Sequence, residues 1–181
     1  DPAPVNDNAQ VEIDSAFRVI MFTDLKDSTK MTTQHGDMNA LNLIHIHNLL
    51  TRNELKRFDG NEIKHTGDGI MSSFLNCEDA ISCAIQIQIS FNKHNENNPT
   101  ELLNLKIGLS AGEPIEEHGD FFGRSVQLAS RLCSHAKSNQ IIISSDIQEL
   151  IKDSNVELKP CNKITPKGFD IPISIFEVKW K

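Results

Sequence analysis

No apolar run in this chain approaches the length of a membrane span, and no signal-peptide pattern opens it. The expectation is therefore a cytoplasmic domain without a membrane segment of its own. Cysteine is scarce: Cys77, Cys83, Cys133 and Cys161 show no CxxC spacing and sit in apolar or mixed stretches. They read as reduced thiols rather than a disulfide framework. Positive charge is in deficit, with 18 Lys and Arg against 25 Asp and Glu and a net charge of −7. That balance argues against a general binder of nucleic acid or anionic membrane. A polyanionic substrate is compatible with it only if metal ions and a few local cations meet the substrate's charge. Internal repeats and low-complexity blocks are also missing.

What is there fits one domain. A chain of 181 residues can bury a core without covalent staples. Residues 1–15, with two prolines and few apolar side chains, read as a linker or tail, and 16–181 as the folded domain. The first residue is Asp rather than Met, which fits a piece of a longer protein. Phe17 to Phe22 reads as a buried strand, followed by a polar turn from Asp24 to Thr29 and a helix from about Asp37 to Phe58. Glu62 to Thr66 and Ile70 to Leu75 read as a hairpin around Gly67-Asp68-Gly69. Asn76 is an expected N-cap for a second helix that fades in Lys93 to Thr100. Next come a strand over Leu105 to Ala111, an acidic segment from Glu113 to Asp120 and a helix over Gly123 to His135. A strand at Ile141 to Ser144, a short helix at Asp146 to Lys152 and a strand at Ile173 to Val178 complete the chain. The order βαββαβ, followed by an extra C-terminal helix and strands, predicts an α+β fold. Its core would be ferredoxin-like, with helices on one face of a mostly antiparallel sheet.

Two acidic residues stand out within that order. Asp24 follows the first strand and Asp68 sits in the hairpin turn. Alone, Asp68 reads as a plain Asp-Gly turn and Asp24 as a helix cap. Together, at the ends of strands able to lie side by side, they suit a phosphoryl-transfer site. Two cations about 4 Å apart can be bridged by two carboxylates while keeping positions open for phosphate oxygens.

The segments FTDLKDST, EIKHTGDG and DFFGRSVQLASRL, with the late PKG, resemble in order and spacing the motifs of class III nucleotidyl cyclase catalytic domains. The resemblance runs from about Phe17 to Trp180. It implies the class III cyclase homology fold and a head-to-tail homodimer. One copy would bring metal-binding carboxylates and the other the base-reading and transition-state residues. By resemblance, Asp24 and Asp68 match the metal aspartates, holding two Mg²⁺ or Mn²⁺ per site. Lys64 and Asp120 match the purine-reading pair. Lysine donates to adenine N1 and aspartate accepts from N6, so the pair implies ATP and disfavours guanylate cyclase. Arg131 matches the arginine that stabilises transition-state charge. Gln127 stands where the commonest family residue is Asn, and the two share a helix face at i and i+4.

Leu25, Lys26, Asp27, Ser28 and Thr29 match the loop that holds the β- and γ-phosphates through backbone N–H groups; Lys26 reads equally as a solvated lysine. Lys167 matches the lysine that grips the terminal phosphates, with Lys163 as a nearby competitor. His45 and His47, two apart on a helix, make poor metal ligands. The function implied is an adenylate cyclase converting ATP to cyclic AMP and pyrophosphate, under an upstream or partner regulatory domain. A guanylate cyclase and a weakly active nucleotide-binding module are the alternatives. Diguanylate cyclases share a related core, but their GG(D/E)EF hairpin is absent.

Overall fold

Alternation within one strand sets the architecture. In β1 (Arg18–Leu25), Val19 and Met21 point into one apolar layer, while Ile20 and Phe22 point into another. A strand buried on both faces needs cover on both sides. The computed structural model describes residues 16–26 and 36–181. The expected tail and the loop residues Asp27, Ser28 and Thr29 lie outside the described residues.

Along the chain follow α1 (Asp37–Arg57), β2 (Asn61–His65), β3 (Gly69–Phe74), α2 (Cys77–Asn97) and β4 (Leu105–Gly112). Then come β5 (Ile115–Glu117), β6 (Asp120–Phe122), α3 (Arg124–His135), β7 (Ile141–Ser144), α4 (Ser145–Leu150), β8 (Leu158–Pro160) and β9 (Ile175–Val178). The main sheet runs β2-β3-β1-β4-β7-β9-β8. Its first four strands are antiparallel neighbours, which is the ferredoxin-like βαββαβ arrangement. β7 joins β4 in parallel, and β9 and β8 close that edge antiparallel.

The larger core lies between the sheet and helices α1, α2 and α4, with Val19, Met21, Leu43, Ile87, Leu105 and Ile147 among its members. Each such aliphatic side chain contributes about 1.5–3 kcal/mol on full burial. The N-cap expectation for α2 is met: Asn76 accepts a 2.9 Å hydrogen bond from the Asp79 N–H. One expectation is corrected. The helices do not all share a face, because α3 covers the opposite side, packing Ala129 and Val126 against Ile20, Phe22 and Met71. Gly108 allows that approach, since a Cβ there would lie 2.2 Å from the Cys133 nitrogen.

Two further elements escaped the sequence reading. Within the acidic segment, β5 and β6 form a hairpin through His118 (φ 52°) and Gly119 (φ 77°). Two consecutive left-handed residues are the mark of a type I′ turn. β8 is three residues long with no buried side chain, so it carries no apolar pattern. Among the described residues, no helix is long and apolar enough to cross a membrane.

Candidate active site

Strand register brings the acidic pair together. Asp24 lies inside β1, not in the turn expected after it, with Gly69 as its partner on β3. The Leu25 N–H donates to the Asp68 carbonyl at 3.1 Å, tying the hairpin turn to the end of β1. Gly69 is required at the crossing: a Cβ would fall 1.9 Å from the Thr23 carbonyl oxygen. The two carboxyl groups are within hydrogen-bond reach of each other. Burial first, then the Asp68 hydrogen bond and charge, push Asp24 from the ordinary 3.8 up to about 7, with Lys106 opposing. Two carboxylates this close cannot both ionise freely, and a hard divalent cation resolves the conflict. The donor set therefore fits such an ion. Among the described residues no group of three or more His, Cys, Asp or Glu is placed to hold a metal.

Lys106 was missed in the sequence. It is the β4 partner of Asp24, and its Nζ lies 3.9 Å from Asp24 Oδ2 with the side chain 18% exposed. The available signal was a single lysine in the otherwise uncharged strand LKIGLSAG. It places a local cation beside Asp24 in a protein of net negative charge.

The second predicted pair also meets. Lys64 Nζ donates to Asp120 Oδ2 at 2.8 Å, across β2 and β6. A bulge near Ile63 shifts the β2–β3 register between Glu62 and Lys64 and re-aims the residues that follow. Asp120 Oδ1 accepts from the Phe121 N–H at 2.8 Å. These contacts, the Lys64 hydrogen bond foremost, hold the Asp120 carboxyl below its usual range. Of the acidic residues before Phe121, Asp120 is thus the one paired with Lys64.

Lys64 lines an open groove of about 740 Å³ together with Gln127 and Arg131. Neither Asp24 nor Asp68 lines it. Phe121 is buried beneath the groove with Ile20 and Ala129, while Phe122 is half exposed at its wall. The Pro166-Lys167-Gly168 turn, closed by Phe169 N–H to Pro166 C=O at 3.0 Å, abuts Gln127. A Cβ on Gly168 would sit 3.3 Å from Gln127 Nε2. The Arg124 guanidinium over the Phe169 ring, 4.4 Å from its centroid, ties this turn to α3. Exposed Lys167 thus belongs to the same end of α3 as Gln127.

The expected phosphate loop is altered at its start. Leu25 is a buried strand residue, and its N–H is bonded to Asp68 as above. The Lys26 side chain is exposed, and its N–H donates to the Asn104 carbonyl at 2.9 Å.

Residues 14–177 match the family model described as the adenylate and guanylate cyclase catalytic domain. Adenylate cyclase of Neurospora crassa is 29% identical over 163 residues, covering 77% of this chain but 7% of that protein. The chain thus spans less than a tenth of the length of this curated relative. A solved adenylate cyclase structure from Trypanosoma brucei in the monomeric state superposes with a TM-score of 0.79 at 16% identity, over 91% of this chain and 88% of the other. The guanylate cyclase domain of RhGC from Catenaria anguillulae, in complex with GTP, gives 0.76 at 18% identity, over 90% and 96%.

Proposed function

This chain belongs to the adenylate and guanylate cyclase catalytic domain family, and we propose that within it the chain is an adenylate cyclase working as a head-to-tail homodimer. The observation that carries the choice of nucleotide is the Lys64–Asp120 pair, 2.8 Å apart, on a groove that Lys64 shares with Gln127 and Arg131. A lysine donor beside a carboxylate acceptor complements adenine, which offers an acceptor at N1 and a donor at N6. Guanine reverses that pattern. The Lys64–Asp120 hydrogen bond also keeps both groups satisfied until a purine edge exchanges for that contact.

In the reaction the ribose 3′-oxygen bonds to the α-phosphorus, its proton is lost, and the bond to the pyrophosphate oxygen breaks. Asp24 and Asp68 would hold divalent cations. Held by these two carboxylates, such cations would lower the pKa of the 3′-hydroxyl and neutralise the triphosphate. Lys106, beside Asp24, adds a fixed positive charge for the phosphates. Arg131 presents a planar fork whose charge does not titrate to oxygens that gain charge in the transition state. Gln127 offers an amide to the ribose, with one methylene more than the asparagine common in the family. Lys167, next to Gln127, is suited to the terminal phosphates.

The separation of the acidic pair from the groove supports the shared site. In a head-to-tail dimer, each groove would receive the acidic pair of the other copy. The direct test is incubation of purified protein with Mn²⁺ and either ATP or GTP. Cyclic AMP should form in clear preference to cyclic GMP. A preference for GTP would refute the base-reading assignment and leave the family membership standing.

A further inference from the structure

Behind the acidic pair lies a hydrogen-bond chain that no step above uses. His47, on α1, is fully buried. Its Nδ1 lies 2.9 Å from Asn48 Oδ1, and its Nε2 lies 3.3 Å from Thr23 Oγ1. Thr23 Oγ1 in turn accepts from the Ile70 N–H at 3.1 Å. The Thr23 hydroxyl also lies 3.5 Å from the Ile70 carbonyl oxygen. The Asn48 oxygen accepts from Nδ1–H, and with the ring neutral Nε2 accepts from the Thr23 hydroxyl. This is the neutral imidazole, in keeping with burial, which pushes His47 down to about 4. Phe91 of α2 meets the ring edge-on, with centroids 5.6 Å apart.

The position of this chain is what matters. Thr23 and Ile70 are cross-strand partners, immediately inward of the Asp24–Gly69 pair. Burying an imidazole, an amide and a hydroxyl is costly when an apolar trio would fill the same space. Directed hydrogen bonds define an angle and a register that apolar packing does not. We propose that His47 is a positioning residue for the acidic pair, acting through Thr23 to fix the β1–β3 crossing that sets Asp24 against Asp68. This deepens the cyclase reading and rests on it, because the geometry being fixed is that of the carboxylates assigned to divalent ions.

The test measures Mn²⁺ binding by loss of the free-ion electron spin resonance signal, with a non-hydrolysable ATP analogue present. Thermal melting and cyclic AMP formation are followed on the same samples. His47→Phe and Thr23→Val should each weaken Mn²⁺ binding by about five-fold or more, toward the range lost when outer partners of metal ligands are removed. At saturating Mn²⁺ the KM for ATP should stay within about two-fold, because the groove residues are untouched. Thr23→Ser, which keeps the hydroxyl, should retain parental binding. Phe91→Leu, which loosens the same core without breaking the chain, should lower the melting temperature and leave Mn²⁺ binding unchanged. A folded His47→Phe or Thr23→Val protein with parental Mn²⁺ affinity overturns the proposal. Should His47→Phe fail to fold, Thr23→Val against Thr23→Ser decides it alone. If the parent binds no Mn²⁺ and forms no product, the cyclase reading falls and this proposal with it. Parental binding and product with unaltered variants remove the proposal only.

Discussion

Replacing Asp24 by Asn should stabilise the metal-free protein while abolishing its activity. Asparagine mimics the protonated carboxyl and can still donate to Asp68, but it carries no charge to be buried beside another. Asp24 rises from 3.8 to about 7 in the folded chain. At about 1.4 kcal/mol per tenfold, a dry site would make this about 4 kcal/mol. The side chain is 36% exposed, so solvent screening reduces the figure to about 1–2 kcal/mol. The sign follows from a folded pKa above the unfolded one. Stability from this group is complete below about 4, declines as pH rises, and is lost above about 7. For a chain of this size, Asp24→Asn should therefore raise the melting temperature by about 2–8 °C at pH 8 in EDTA. Below pH 4 the gain should vanish. Adding Mn²⁺ should stabilise the parent and not the variant, reversing their order. Differential scanning calorimetry at both pH values reads all of this. Equal destabilisation of the variant at pH 8 and pH 4 would refute the like-charge account of the pair.

Other consequences are equally concrete. Mixing an Asp24→Ala chain with an Arg131→Ala chain, each inactive alone, should restore part of the activity, since one of the two shared sites in the heterodimer is intact. Inactive mixtures in which heterodimers are shown to form would argue against the shared site. Gly69→Ala, whose Cβ would fall 1.9 Å from the Thr23 carbonyl, should part β1 from β3 at Asp24. It should lose about 3 kcal/mol or more, read as a fall in the denaturant midpoint. Burial pushes Cys77 to about 11 and Cys83 and Cys133 to about 12, so a chromogenic disulfide reagent should titrate only Cys161 in the native protein.

Much of this domain could be read directly from its residues. The βαββαβ order followed from switches between strand-like runs and helical spacing, and Asn76 from cap chemistry. Lys64, Asp120, Gln127 and Arg131 were named through the resemblance of their motifs to class III cyclase domains, and those motifs are local runs of sequence on an edge strand, a hairpin and one helix. Register, by contrast, is a contact between segments far apart in the chain. Only the assembled sheet set Asp24 inside β1 opposite Gly69, brought Lys106 beside it, and sent α3 to the face away from α1 and α2. The β5–β6 hairpin was hidden because it rests on two left-handed residues rather than on an apolar pattern. His47 was dismissed as a metal ligand from its spacing to His45, and spacing gave no hint of Thr23. Side-chain chemistry is local and therefore legible in one dimension. Which carboxylates face each other, and what lies beneath them, depends on strand pairing and burial, and those exist only after the chain has folded.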